Sequence, residues 1–204
     1  MKTSPLFWTK GIAALLTLGS CLALGAPSLA AADGRQGTIE FFYGNYTISE
    51  SPAPIGTLFE QIYGKAGTIL GLKLSSALVW NFDFYLELKG LRKTGKLTYT
   101  EEKTTLLLIP ISLGLRYVLP LGFIQPYIGG GVDFYVFYED NPIGSVFNYV
   151  HGTHFLGGLY LRIDKSVPVL LNLQVKYTSA TSNINDRKVE LGGLEYGIAF
   201  VLAF

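Results

Sequence analysis

The side chains best suited to chemistry in this sequence are ten charged residues in short segments of alternating polar and apolar character. Five of them are acidic and five are basic. Alternate side chains on a strand project to the same face, so we expect the ten to share one side of a sheet. If that side is enclosed, the charges must pair, because an isolated buried charge is very costly. The ten residues are Glu40, Lys73, Asp83, Glu87, Lys89, Arg116, Asp133, Arg162, Lys176 and Glu195.

The two histidines, His151 and His154, form a poor metal site, because residues three apart on a strand face opposite sides. We predict neither a metal nor another cofactor. The sequence His151-Gly152-Thr153 resembles the His-x-Ser of barrel lipid A deacylases, although a threonine stands where that motif needs serine. Because we can place no partner acid, we predict that the chain is not an enzyme. Lipid modification around His151 remains an alternative.

The charged residues lie on segments that alternate with a period of two, which is typical of half-buried strands. The clearest are residues 82–89 and 169–177, where one face is apolar and the other polar. Eight such segments are present, which predicts eight strands. They cover residues 39–44, 70–74, 82–89, 107–117, 127–136, 158–163, 169–177 and 194–204.

The composition places these strands in a membrane. The chain is 49% hydrophobic and 15% charged, yet beyond the N-terminus it has no uncharged apolar run of 18 residues. A closed barrel then remains as the way to satisfy the backbone in a bilayer. We predict an all-β fold, an eight-stranded antiparallel up-and-down transmembrane β-barrel. A soluble barrel of lipocalin type, with the apolar face inward, is the alternative fold.

The predicted connections alternate in length, as in outer-membrane barrels with short periplasmic turns and longer outer loops. Short connections are predicted at residues 75–79, 119–122 and 164–168. Longer ones, which would face the cell exterior, are predicted at residues 47–65, 92–102, 139–152 and 179–187. Pro110 falls inside the fourth strand, where it lacks a ladder donor and predicts a bulge or kink.

Residues 1–32 are predicted to be a cleaved signal peptide, and residues 33–204 the barrel domain. Lys2 and Lys10 precede an uncharged apolar stretch, and residues 30–32 offer a cleavage site. Cys21 lies inside this segment; we interpret it as a core residue of the signal, with lipidation as the alternative. Removing the two lysines turns 16 basic and 15 acidic residues into 14 and 15, and this near-neutral balance argues against a nucleic-acid partner.

The last segment resembles the signal by which outer-membrane barrels are recognised by the barrel-assembly machinery. Its apolar residues occupy every second position up to the final aromatic: Tyr196, Ile198, Phe200, Leu202 and Phe204. Residues 108–117, followed by Gln125-Pro126-Tyr127-Ile128-Gly129, are similar to a strand, turn and strand of the small outer-membrane barrels. That superfamily includes OmpA transmembrane-domain-like, opacity-protein-like and OmpW-like proteins. The resemblance implies location in a bacterial outer membrane, with lipid and the assembly machinery as partners.

Two functions are compatible with this fold. An eight-stranded barrel is only wide enough for side chains to fill it, so paired charges would plug the lumen and leave a structural or surface-interaction role. The alternative is an OmpW-like conduit for small hydrophobic molecules, because the first long connection carries a helical apolar pattern suited to a lid. A helix packed on the barrel rim would show the same pattern. The lid residues would be Ile55, Leu58, Phe59, Ile62 and Tyr63.

Overall fold

The computed structural model describes residues 36–48, 62–64, 66–96, 101–142, 144–164, 166–184 and 187–204. Antiparallel strands make up nearly all of these ranges, as the two-residue alternation predicted. No helix within them is long and apolar enough to cross a membrane. The predicted signal peptide and most of the predicted lid lie outside the described residues.

The strands in the described ranges are mostly long. A single 3-10 turn, Val79–Asn81, precedes the third strand, with Trp80 and Asn81 at positive φ. The strands are β1 Gly37–Ile48, β2 Ala66–Ala77, β3 Phe82–Lys96, β4 Lys103–Val118, β5 Ile124–Asn141, β6 Gly144–Arg162, β7 Val169–Ile184, β8 Arg187–Glu190 and β9 Gly193–Ala203.

The sheet closes into a barrel of eight strands. Each strand from β1 to β7 pairs with the next, β9 pairs with both β7 and β1, and all pairings are antiparallel. The short β8 and β9 act as one strand of the barrel. Both pair with β7 in the same register, with Thr181 opposite Glu190 and Thr178 opposite Gly193. The predicted eight-stranded antiparallel barrel is therefore confirmed.

The closed sheet is staggered. A path along ladder partners leaves β1 at Thr38 and returns to β1 at Ile48, ten residues farther along. Such a stagger requires the strands to tilt by about 35–45° from the barrel axis. Side chains that meet inside the barrel therefore include both ladder partners, such as Asp83 and Arg116, and residues of strands that are not paired, such as Glu40 and Arg116.

The polar face points inward and the apolar face outward. On β3, Glu87 is fully buried while the neighbouring Leu88 is 42% exposed. On β7, Asn172 and Gln174 are buried while Leu173 and Val175 are exposed. The lipocalin-type alternative required the reverse orientation in these strands and is wrong.

Two details of the predicted connections are wrong. Residues 139–152 do not form a loop, because β5 runs to Asn141 and β6 begins at Gly144. Likewise β7 continues to Ile184 and β8 begins at Arg187. The alternation of outward Phe147 and Tyr149 with inward Val150 extends the ladder, since aromatic and β-branched residues favour strands.

Pro110 creates no bulge. The β3–β4 register is the same on both sides of it, with Leu88 opposite Ile111 and Leu91 opposite Leu108. The two rungs between them lack pairing, because proline has no N–H to donate. The structure thus has a local interruption of the ladder in place of the predicted extra residue.

Candidate functional site

The inward side chains change character along the barrel. On β3 they pass from Asp83, near the short-turn end, through Glu87 to Leu91, toward the long hairpins. Three layers result, which we call the basal network, the central network and the apolar layer.

The basal network is organised by the guanidinium of Arg116 on β4. Its Nη1 donates to Glu40 Oε1 at 2.7 Å, and its Nε donates to Asp83 Oδ2 at 3.1 Å. Nη2 donates to Ser75 Oγ at 2.9 Å. The Tyr160 ring stands 5.0 Å from the guanidinium carbon. Two carboxylates and an aromatic face thus compensate a cation removed from water.

Glu40 is held by neutral donors as well. Tyr160 Oη donates to its Oε1 at 2.6 Å, and Asn172 Nδ2 donates to its Oε2 at 2.7 Å. Lys73 Nζ lies 3.9 Å from Glu40 Oε2 and 3.2 Å from Glu87 Oε1. Lys73 therefore joins the basal network to the central one.

The central network surrounds Glu87. Three ammonium groups approach its carboxylate: Lys73, Lys89 at 2.8 Å and Lys176 at 3.4 Å. Lys89 also contacts the carboxylate of Glu195. Each charge has partners of opposite sign, which offsets much of the desolvation that burial imposes.

Lys176 extends this network to a buried histidine. Its Nζ lies 2.9 Å from Asp133 Oδ1 and 2.6 Å from Ser112 Oγ. His154 Nδ1 lies 3.0 Å from Asp133 Oδ1, and its Nε2 contacts the Tyr85 hydroxyl. A serine next to a lysine can act as a nucleophile with its base. Here the ammonium group of Lys176 also forms ion pairs with Glu87 and Asp133.

Nine of the ten charged residues predicted from sequence lie buried in these two networks. The tenth, Arg162, is the last residue of β6 and lies at the short-turn end, half-buried. Sequence reasoning missed Tyr85, Tyr160, Asn172 and His154, whose inward phase on their strands was the available signal.

The apolar layer was not expected from the sequence. It fills the interior toward the long hairpins, and its signal was the run of residues 106–109, which is apolar on both faces of β4. Tyr46 crosses this layer and donates its hydroxyl to the Leu191 carbonyl, where β8 and β9 are interrupted. The layer contains Tyr46, Ile69, Leu91, Leu106, Leu108, Tyr135, Phe137, Val150, Ala180 and Leu191.

Of the predicted lid, only Ile62 and Tyr63 are described; Ile55, Leu58 and Phe59 lie outside the described residues. Tyr63 is buried. Its hydroxyl lies 2.8 Å from Thr104 Oγ1 and donates to Glu139 Oε1 at 2.7 Å. Burial raises the pKa of the Tyr63 hydroxyl above its ordinary value. Ile62 packs against the apolar layer, so this end of the segment contacts the mouth of the lumen at the end of the long hairpins.

Comparison with known proteins rests on structure. No family model matches the sequence, and no curated protein matches it. Outer membrane protein OprG of Pseudomonas aeruginosa superposes with a TM-score of 0.60 at 18% identity, covering 83% of this chain and 97% of that one. Neisserial surface protein A superposes with a TM-score of 0.61 at 13% identity, covering 82% of this chain and 97% of that one. Ail of Yersinia pestis superposes with a TM-score of 0.53 at 12% identity, covering 82% of this chain and 99% of that one; its structure was solved with the heparin analogue sucrose octasulfate.

The chain has the fold of the small eight-stranded outer-membrane β-barrels. The outward face of the barrel carries the apolar band that this fold presents to lipid. The short-turn end is rich in aromatic side chains: the Phe82 and Tyr117 rings lie 5.1 Å apart, and Trp80 and Phe123 are exposed. The last strand of the barrel contributes one outward row, Tyr196, Ile198, Phe200, Leu202 and Phe204.

The barrel separates the two histidines. His151 points outward and is exposed, as is Thr153, whereas His154 is buried in the central network. The deacylase-like residues therefore lie on the outer wall, away from the lumenal acids. In the described ranges, no group of three or more His, Cys, Asp or Glu side chains is arranged to hold a metal ion.

Proposed function

We propose that this chain is an outer-membrane barrel with a structural or surface-interaction role, whose lumen is plugged by paired charges, and that it is not an enzyme. The observation that carries the proposal is the stacking of the two networks, in which nine ionised side chains are buried and paired. Separating one partner of such a pair leaves an uncompensated buried charge, at a cost of about 3–5 kcal/mol. A continuous water path through the barrel would require several such separations.

The surface role is supported by the β5–β6 hairpin. It carries outward Phe147 and Tyr149, which are 61% and 70% exposed, close to its last ladder rung, Asn141 opposite Gly144. Exposed aromatic side chains are frequent anchors in protein interfaces. We place the long hairpins on the cell exterior, where these rings would meet a partner.

Lipid is the partner of the outer wall in this proposal, and the barrel-assembly machinery inserts the chain through the row ending at Phe204. Fractionation of inner and outer membranes, combined with gel mobility before and after boiling, tests the placement of the barrel in lipid. An outer-membrane band whose mobility shifts on heating is expected. Recovery in the soluble fraction, or a band insensitive to heat, would contradict the placement.

Planar-bilayer recording tests the plug. We expect the folded wild-type barrel to show no steady conductance, because the central network fills its cross-section. The variant Lys176→Ala, which removes the contacts to Glu87, Asp133 and Ser112, should admit brief openings. Leu173→Ala on the outer wall is the matched control. A reproducible conductance of the wild type would overturn the plug.

A conduit for small hydrophobic molecules is the second candidate, and two observations favour it. The apolar layer lies above the plug, beneath Ile62 and Tyr63. At the boundary between layer and plug, the β3–β4 ladder is interrupted beside Pro110. A hydrophobic molecule that entered the apolar layer would be blocked below by charge, and the interrupted rungs offer a sideways route to lipid.

A disulfide across the interruption tests this route. Gly90→Cys with Ile109→Cys would tie the unpaired rung shut, and Leu86→Cys with Leu113→Cys would tie a paired rung as control. Uptake of a hydrophobic fluorophore into proteoliposomes should fall only for the first pair and return after reduction. Equal uptake by both oxidised variants and the wild type would remove the conduit hypothesis.

A further inference from the structure

A row of cations crosses the outer wall of the β3–β4 hairpin. Arg92, Thr94 and Lys96 alternate with the inward residues of β3 and are exposed. Lys103 faces outward from β4 at the same height. The outward rungs, β3 residue first, are Arg92 with Leu107, Thr94 with Thr105, and Lys96 with Lys103.

The arrangement of these cations is unfavourable without an anion. Lys96 and Lys103 are directly opposite in the ladder, and like charges in that position are destabilising. Among the residues that the structure describes, Arg92, Lys96 and Lys103 form no ion pair. Glu101 and Glu102 precede Lys103, and Asp140 stands on the next strand, yet none of them bridges the two lysines. A bound anion would supply the missing countercharge.

The height of the row matches a lipid headgroup. Ten residues of β3 separate the aromatic rung of Phe82 and Tyr117 from the rung of Arg92 and Leu107. At about 3.3 Å per residue and a tilt of about 40°, this spans about 25 Å across the membrane. That equals the height of the apolar band of outer-membrane barrels, about 25 Å. Arg92 therefore lies where the band ends, and the rung of Lys96 and Lys103 lies about 10 Å farther out.

A notch lies directly below the row. Gly90 faces outward between Leu88 and Arg92, and a Cβ placed on it would meet no atom within 4 Å. The missing side chain leaves the wall open at this position, below the cations. An acyl chain of a lipid bound at the cations would lie against the wall there.

We propose that the β3–β4 outer wall binds a phosphate-bearing lipid, with the phosphate between Lys96 and Lys103 and an acyl chain that runs past Arg92 to the notch at Gly90. The inference rests on the proposed placement of the barrel in a membrane. The heat-shift gel tests that placement separately, so a failure of lipid binding in a correctly inserted barrel would overturn this site alone.

The test uses the folded protein in phosphatidylcholine nanodiscs containing increasing phosphatidic acid, with the amide resonances of Thr94 and Thr105 as readout. Saturable shifts are expected with the wild type. Each lysine near an anionic lipid surface contributes about 1 kcal/mol, so K96Q/K103Q should bind about thirtyfold more weakly. Gly90→Leu, which fills the notch, should weaken binding while leaving the cations in place.

Three comparisons complete the test. R187Q/K188Q removes the same charge from a different hairpin and should change binding by less than about twofold, because distant charges are screened. Asp140→Asn removes a nearby negative charge and should strengthen binding. Equal weakening by both double variants would mean that the lipid is attracted by the overall charge of the hairpins. Equal shifts with inorganic phosphate alone would mean a site for free phosphate. Either result overturns the proposed lipid site.

Discussion

Glu40 on the first strand and Arg116 on the fourth, 76 residues apart in sequence, are joined inside the barrel by a hydrogen-bonded ion pair of 2.7 Å. The ladder partners of Glu40 are Lys73 and Val201, on the two neighbouring strands. The contact therefore spans the lumen, and it links parts of the wall that backbone pairing alone does not connect.

Replacing Arg116 by Gln should lower the free energy of unfolding by about 3–5 kcal/mol, because Glu40 and Asp83 would remain buried without their cation. Urea titration followed by gel mobility measures the loss. Arg92→Gln on the outer wall should change stability by less than about 0.5 kcal/mol. The double variant E40Q/R116Q should lose less than the sum of its parts, and strict additivity would contradict a direct coupling.

Leu86 faces lipid, so Leu86→Arg should cost about 2–4 kcal/mol near the membrane midplane. Thr94→Arg, on the same face of the same strand but above the apolar band, should cost about 0–1 kcal/mol. Unfolding of both variants from lipid vesicles gives the comparison. Similar losses at the two positions would place the membrane boundary elsewhere.

The Tyr46 hydroxyl satisfies the Leu191 carbonyl at the break between β8 and β9. Tyr46→Phe leaves that buried carbonyl without its side-chain donor and should cost about 1–3 kcal/mol. Amide exchange near Leu191 should accelerate along with the loss. Tyr43→Phe, on the exposed outward face, is the control; a loss of the same size there would show that the carbonyl is not the cause.

Gly95 allows the chain at Ile62 to approach the hairpin closely. A Cβ at Gly95 would collide with the Ile62 carbonyl, so Gly95→Ala should displace the segment anchored by Tyr63. Tryptic cleavage at Lys65, followed by mass spectrometry, should become faster. Gly90→Ala meets open space and should leave the cleavage rate unchanged. No acceleration in Gly95→Ala would mean that the segment tolerates the shift.

The strands, and the direction in which their side chains point, were predictable because polar and apolar residues alternate within each strand. In residues 82–89 every Phe and Leu side chain is outward and every charged one inward. This local pattern also identified the inward charges, since an inward phase places Glu87 and Lys176 in the lumen whatever their partners are.

The partners across the lumen were not predictable. Which residues of unpaired strands meet depends on the ten-residue stagger of the closed sheet, a global property that no single strand encodes. For this reason Arg116 could not be paired with Glu40 from sequence, whereas Asp83 with Arg116 follows from the β3–β4 register. The apolar layer was missed because residues 106–109 are apolar on both faces, so two-residue alternation does not indicate which of them point inward.

The closing seam of the barrel has a consequence for the order of folding. β1 and β9 lie at opposite ends of the chain, with Thr38 opposite Ala203 and the Phe204 carbonyl accepting from the Gly37 amide at 3.0 Å. Until β9 arrives, both β1 and β7 are unpaired edges, which are prone to aggregation. Contacts of such long sequence separation also form slowly. Pairing of β9 with β1 and β7 is therefore the step that removes both edges, and it joins the strands that are farthest apart in the described sequence.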